Sequence, residues 1–531
     1  MAHSNHRLLV AFAVAVAVYR AVGEASGVGF NLHHRYSPVV RQWAEARGHP
    51  LGAQWPAHGS PEYYSALSLH DRALLARRGL AGADGLLTFS DGNDTYRISN
   101  LGFLYYAEVE VGTPNATFLV ALDTGSDLFW VPCDCKHCAP IANATEEGQG
   151  GPKLRPYSPS LSSTSKTVTC DNALCDRPNA CGAAGNGSCP YTVRYVSANT
   201  SSSGVLVQDV LHLTREGPGG AAAEALQAPI VFGCGQVQTG LFLQGGAADG
   251  LLGLGMETVS LPSVLASSGL VASNSFSMCF SHDGVGRINF GDAGSRDQAE
   301  TPFIVSSTRP TYNVSFTSIN VESKSVPVEF TAVMDSGTSF TYLNDPEYTE
   351  LATNFNSQIR ERRTNFSSDS AGSVPFEYCY SLRPNQTEVL MPEVSLTTKG
   401  GALFPVTSPF LVFADQINGE FRPIGYCLAI LKSDISINII GQNFMTGLKV
   451  VFDRERSVLG WQKFDCYKNA RAADAPDGSP SASPAPTTLK PQQDGGGDRY
   501  PGAAPVPRSA GAARTLGGLS LLLPLLVAAL V

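Results

Sequence analysis

Phe118-Leu119-Val120-Ala121-Leu122-Asp123-Thr124-Gly125-Ser126, followed by Leu128-Phe129-Trp130-Val131, sets an Asp-hydroxyl-Gly-hydroxyl turn between two apolar runs. The pattern returns in the second half of the chain as Ala332-Val333-Met334-Asp335-Ser336-Gly337-Thr338, then Phe340-Thr341-Tyr342-Leu343. Each copy also has a second element farther on, Gly250-Leu251-Leu252-Gly253-Leu254-Gly255 for the first and Ile439-Ile440-Gly441-Gln442-Asn443-Phe444 for the second. One Asp-Thr/Ser-Gly string is ordinary turn chemistry. Two of them in matching apolar frames describe a duplicated chain with a paired-carboxylate site.

An Asp at the end of a buried strand, on a loop that turns at Gly, presents its carboxylate on the floor of a cleft. Gly125 and Gly337 permit the tight turn and the close backbone approach that a Cβ would block. Two such carboxylates face to face cannot both ionise, so the pair shares one proton. One then serves as base and the other as acid toward a water held between them, without a covalent intermediate. Asp123 and Asp335 are the expected dyad, and the titration belongs to the pair.

These residues resemble the pepsin-like aspartic proteases from roughly Leu101 to Lys468. The resemblance implies a mainly all-β, bilobal fold with the active-site cleft between two lobes related by a pseudo-two-fold axis. It implies that Thr124 and Ser336 bind the backbone of the opposite loop and that Ser126 and Thr338 hydrogen-bond the carboxylates. It also makes Tyr195 the flap residue over the substrate, hydrogen-bonded to Trp130. Here the chain departs from the family pattern, because Val196-Ser197-Ala198-Asn199-Thr200 replaces the usual glycine-rich flap tip.

Composition narrows the class further. The chain has 531 residues, 43% hydrophobic, with a formal net charge of −9 and no basic stripe, which argues against a nucleic-acid partner. Neither His-Glu-x-x-His nor Gly-x-Ser-x-Gly occurs, so no metal, no other cofactor and no serine nucleophile is suggested. The expected partners are protein or peptide substrates, and a monomer is expected.

Residues 1–24 read as a secretory signal peptide, with the apolar stretch Leu8 to Val18 followed by small residues. Eight Asn-x-Ser/Thr sequons fit a secreted glycoprotein, at Asn93, Asn115, Asn143, Asn186, Asn199, Asn313, Asn365 and Asn385. Twelve cysteines in such a chain imply disulfides. Cys133, Cys135 and Cys138 have a zinc-like spacing, yet the compartment and the even count favour bridges. Cys170, Cys175, Cys181 and Cys189 crosslink a Gly- and Asn-rich stretch with little apolar material of its own. That cluster looks like the Cys-rich insertion of the plant atypical, nepenthesin-type branch, and the resemblance pairs Cys379 with Cys427. The remaining connectivity stays open.

Residues 25–100 form a basic segment with a helical pattern over Tyr63 to Arg78, Leu67, Leu74 and Leu75 on one face. By resemblance it is a prosegment lying across the cleft; the plain alternative is an unstructured extension. Residues 101–284 and 285–468 are the expected lobes, with the boundary in the turn Asp283-Gly284-Val285-Gly286. Residues 469–509, rich in Pro, Ala and Gly, read as a disordered stalk. Within residues 510–531, Leu516 to Val531 is apolar to the end and short for a permanent span, which with small residues at Ser509-Ala510-Gly511 gives a glycolipid-anchor signal with Ser509 as the anchor residue. A single-span tail is the alternative. The expected location is the secretory pathway and the extracellular face of the plasma membrane or the cell wall. The sequence thus reads as an aspartic endopeptidase made as a secreted zymogen, with a non-catalytic protease-like binding or inhibitor protein as its rival.

Overall fold

The computed structural model describes residues 28–46, 55–79, most of 104–464, and 490–491. From Tyr105 to Lys463 the described chain is dominated by strands, with short helices at Leu261–Ser267, Glu347–Gln358 and Gln442–Met445. This is the mainly β, pepsin-like architecture that the duplicated strings imply.

The first half opens on an antiparallel hairpin. Tyr105–Val111 pairs with Ala116–Asp123, Tyr106 opposite Ala121 and Val111 opposite Ala116. Alternating burial along Ala107, Val109 and Val111 is what a strand with one face in the core requires. The turn between them passes through Gly112 at φ +88°. Behind it stands the long hairpin of Ser201–Arg215 and Glu224–Thr239. The second half repeats the opening with Asn313–Val321 against Lys324–Met334.

A third layer joins the halves. Ser275–Phe280 pairs on one side with Val285–Phe290 and on the other with Leu448–Asp453. Leu448–Asp453 continues to Val458–Lys463, and that strand to Ala299–Ile304. The Phe276 and Phe452 rings stack across the seam at 4.8 Å. Each is wholly buried, and a buried Phe contributes about 1.5–3 kcal/mol. Strand Val285–Phe290 therefore closes a hairpin with the first half, so the turn before it lies inside that hairpin and is not where the half ends. The sequence signal there was a turn, and a turn between paired strands reads the same as one between lobes.

The cysteines form the disulfides that the even count favours: Cys133–Cys234, Cys135–Cys138, Cys170–Cys181, Cys175–Cys189 and Cys379–Cys427. Cys379 and Cys427 sit opposite each other on paired strands. Cys279 is also disulfide-bonded, and Cys466 lies outside the described residues. So do residues 1–24, the stalk apart from 490–491, the apolar tail with Ser509, and Asn93, Asn143, Asn186, Asn199 and Asn385.

The N-terminal segment is built into this scaffold. Val28–His34 is a strand, antiparallel to Val285–Phe290 along one edge and to Tyr105–Ala107 along the other. Two helices follow, α1 (Pro38–Ala46) and α2 (Pro61–Gly79). Leu67 of α2 is buried, and the side chains of Leu74 and Leu75 lie outside the described residues. The extension is therefore structured over these stretches, and its first element is a strand in the main sheet.

The sequons differ in what they offer a modifying enzyme. Asn115 and Asn365 are exposed. Asn313 is half-buried between two partner strands, and its Nδ2 donates to Ile304 O, Thr311 O and Thr311 Oγ1. Glycopeptide mass spectrometry of the protein purified from a plant host is expected to find sugar on Asn115 and Asn365 and none on Asn313.

Candidate active site

Each Asp loop is a strand, a turn and a second strand with a third strand threaded between the limbs. In the first half Ala116–Asp123 runs parallel to Leu251–Gly253, with Asp123 opposite Gly253, and Trp130 pairs with Leu251 on the other side. In the second half Lys324–Met334 runs parallel to Asn438–Ile440, and Tyr342 pairs with Ile439 on the other side. The two repeated sequence elements are thus one device used twice.

The threading demands glycine. A Cβ on Gly253 would lie 2.3 Å from the backbone of Asp127, and one on Gly441 would lie 2.1 Å from Phe340 O. Neither contact is survivable without backbone movement.

Backbone amides then fix the carboxylates. Gly125 N–H donates to Asp123 Oδ1 at 2.9 Å, and Gly337 N–H donates to Asp335 Oδ1 at 3.1 Å. Asp335 is 2% exposed and also accepts from Thr338 Oγ1 at 2.5 Å. Asp123 is more open. Ser126 occupies the place equivalent to Thr338 but does not act like it: its buried hydroxyl lies beside Tyr195 and makes no hydrogen bond among the described residues. Thr124 and Ser336 are both buried, with no hydrogen bond across to the opposite loop among the described residues.

Tyr195 follows the strand Pro190–Arg194, and its N–H donates to Thr200 O at 2.9 Å. Its hydroxyl accepts from Trp130 Nε1 at 2.9 Å. Burial first, then the Asp123 charge, pushes the phenol far above its ordinary range, so Tyr195 stays a neutral donor and acceptor. Phe242 completes the wall, edge-on to Tyr195 at 5.0 Å and tilted against Trp130 at 4.9 Å. No sequence signal singled out Phe242, which lies in a short 3-10 turn (Gly240–Gln244) far from either Asp.

The N-terminal segment contacts both halves beside these loops. Trp43 of α1 donates to Asp249 Oδ2 at 2.9 Å, the same oxygen that accepts from Leu119 N–H on the Asp123 strand. Tyr64 of α2 donates to Val412 O, and Asp71 of α2 accepts from the amides of Ser339 and Phe340 just after the Asp335 turn.

The comparisons agree with this geometry. Residues 105–292 match the family model described as xylanase inhibitor N-terminal, and residues 311–463 match its C-terminal counterpart. The chain is 48% identical over 468 residues to aspartyl protease family protein 1 of Arabidopsis thaliana, covering 87% of each. It is 37% identical to aspartic proteinase-like protein 1 of the same plant, covering 89% of this chain and 88% of that one. Among solved structures it resembles conglutin gamma, a basic 7S globulin from lupine seeds, with TM-score 0.51 at 20% identity over 70% of this chain and 94% of that one. This chain belongs to the pepsin-like aspartic proteases of the plant atypical branch.

Gly441→Ala is expected to destabilise the second half by about 3 kcal/mol, since the added methyl cannot be relieved by a side-chain movement. Denaturant unfolding of variant and parent measures it, and a difference below about 1 kcal/mol contradicts the threading constraint.

Proposed function

We propose that the chain is an aspartic endopeptidase made as a secreted precursor, with Asp123 and Asp335 as its catalytic pair. The observation that carries the reading is the matched seating of the two carboxylates, each oriented by the amide two residues on in a duplicated strand-loop-strand unit. In that reading the pair shares a proton, a water between them attacks the peptide carbonyl, and the protonated partner supports the developing oxyanion and the leaving amine. Tyr195, held by Trp130, covers the substrate from the flap. Substrates are proteins or peptides, the protein acts as a monomer, and a glycolipid on Ser509 tethers it outside the cell.

Residues 25–100 are proposed as the prosegment, since their described parts bond to both halves next to the Asp loops. Acid release follows from His34. Burial first, then the charges of Arg35, His58 and His70, holds its imidazole well below the usual range; Tyr36, Tyr63 and Tyr105 pack around the ring. A base whose folded pKa is depressed stabilises the folded form fully above its unfolded pKa of about 6.5. That stability is lost as pH falls from there through the folded value. Acidification therefore loosens the hold of the N-terminal segment on the two halves.

A second reading is favoured by the description of the matching family models: a protease-like fold that only binds protein. Self-processing in acid separates the two, because a binding protein leaves its own N-terminus intact.

Asp123→Asn and Asp335→Asn are each expected to fold normally and to lose about 10³-fold or more of peptide cleavage in acid. Retention of more than about 5% by either folded variant overturns the dyad. His34→Gln is expected to lower the pH at which N-terminal sequencing first detects release of the segment, and identical pH profiles for variant and parent refute the trigger.

A further inference from the structure

The contact between α2 and the Asp335 loop has a chemistry of its own. Asp71 is completely buried. Its Oδ1 accepts from Ser339 N–H at 2.8 Å, and its Oδ2 from Phe340 N–H at 2.9 Å and Tyr342 OH at 3.3 Å. His70 Nδ1 lies 3.2 Å from Oδ1, on the same helix. Three of these four groups therefore belong to the second half and stay behind when the segment leaves. A fourth donor waits beside them: the Ser339 hydroxyl is 3% exposed and has no hydrogen-bond partner among the described residues.

We infer that Ser339 N–H, Phe340 N–H and the Tyr342 hydroxyl form a carboxylate-binding subsite, filled in cis by Asp71 in the precursor and by an acidic side chain of the substrate after release. This rests on the protease reading above. Two adjacent amides that each take one oxygen of a carboxylate are a bidentate anion site, and hydrogen bonds to an ionised acceptor are stronger than neutral ones. A peptide carbonyl offers a single oxygen and cannot give each amide an oxygen of its own, as the carboxylate does. Empty, the cradle leaves buried donors unmet, which a carboxylate relieves and an amide side chain relieves only in part. Ser339 stands four residues beyond Asp335, in the segment that follows the second Asp turn. Burial first, then the Asp71 charge, pushes the Tyr342 phenol far up, which keeps it a hydrogen-bond donor. A recess beside the cradle is lined by Tyr342, Tyr348, Pro375 and Leu431 together with the charged Arg72, Glu377 and Lys432.

The test has two arms. In the full-length chain, Asp71→Ala empties the cradle, and Asp71→Asn is carried alongside because it keeps the side-chain volume. Thermal unfolding is followed in about 0.2 M acetate, acetamide or chloride. Acetate is expected to recover a few degrees in Asp71→Ala and none in the parent, whereas acetamide recovers less than acetate in the variant and none in the parent. Absence of an acetate-specific gain overturns the cradle. In the chain after acid processing, twin peptides that differ only by Asp or Asn are compared near pH 5.5, with the varied residue stepped through the positions before the cleaved bond. At one position Asp is expected to be preferred about tenfold in kcat/KM, and Tyr342→Phe is expected to cut that ratio severalfold. A ratio of one at every position overturns the substrate assignment. If neither twin is cleaved while acetate rescue holds, the protease reading fails and the carboxylate site stands.

Discussion

Everything at the centre of this molecule depends on two short strands, Leu251–Gly253 and Asn438–Ile440, being threaded between the limbs of the two Asp loops. Backbone pairing on both sides fixes the direction from which each carboxylate enters the cleft. Their cost is tight clearance, met by Gly253 and Gly441. The result is a pair of acids held by amides rather than by long side chains, which keeps their geometry independent of rotamer changes.

The rest of the site is less symmetric than the duplication suggests. Asp335 is buried and has Thr338 as a second donor, whereas Asp123 is more open and its counterpart hydroxyl, Ser126, turns toward Tyr195. Trp130, Tyr195 and Phe242 form a cluster within the first half. The two carboxylates therefore meet different surroundings, which is the condition under which an acid and a base take separate roles.

How far the sequence disclosed this follows from where its signals lie. The Asp loops were legible because each recurs in an apolar frame, and a repeated local pattern survives the loss of all tertiary information. Trp130 and Tyr195 were legible only through resemblance, since a Tyr in a hairpin reads first as packing. Val28–His34 was not legible as a strand: its partners are more than 70 positions away, and its seven residues carry two histidines and one asparagine. Asp71 and Asp249 were hidden for another reason. An acidic residue on a helix or in a Gly-rich loop reads as solvated, and only the fold reveals that each is buried and accepts backbone amides. The lobe boundary misled because Val285 begins a hairpin strand of the joining sheet.

Val28–His34 is hydrogen-bonded along both of its edges, to Val285–Phe290 and to Tyr105–Ala107, and Gly29 lies so close to Ile288 that a side chain there would collide with its carbonyl. Removing that strand would leave a slot with two rows of unmet backbone donors and acceptors in the middle of a sheet. An open slot of that kind recruits any extended segment that reaches it. A cut beyond α2 that leaves the N-terminal strand in place would produce a two-chain protein with an intact sheet. A cut that ejects it would require some other stretch of polypeptide, the new N-terminus or a neighbour's, to fill the gap.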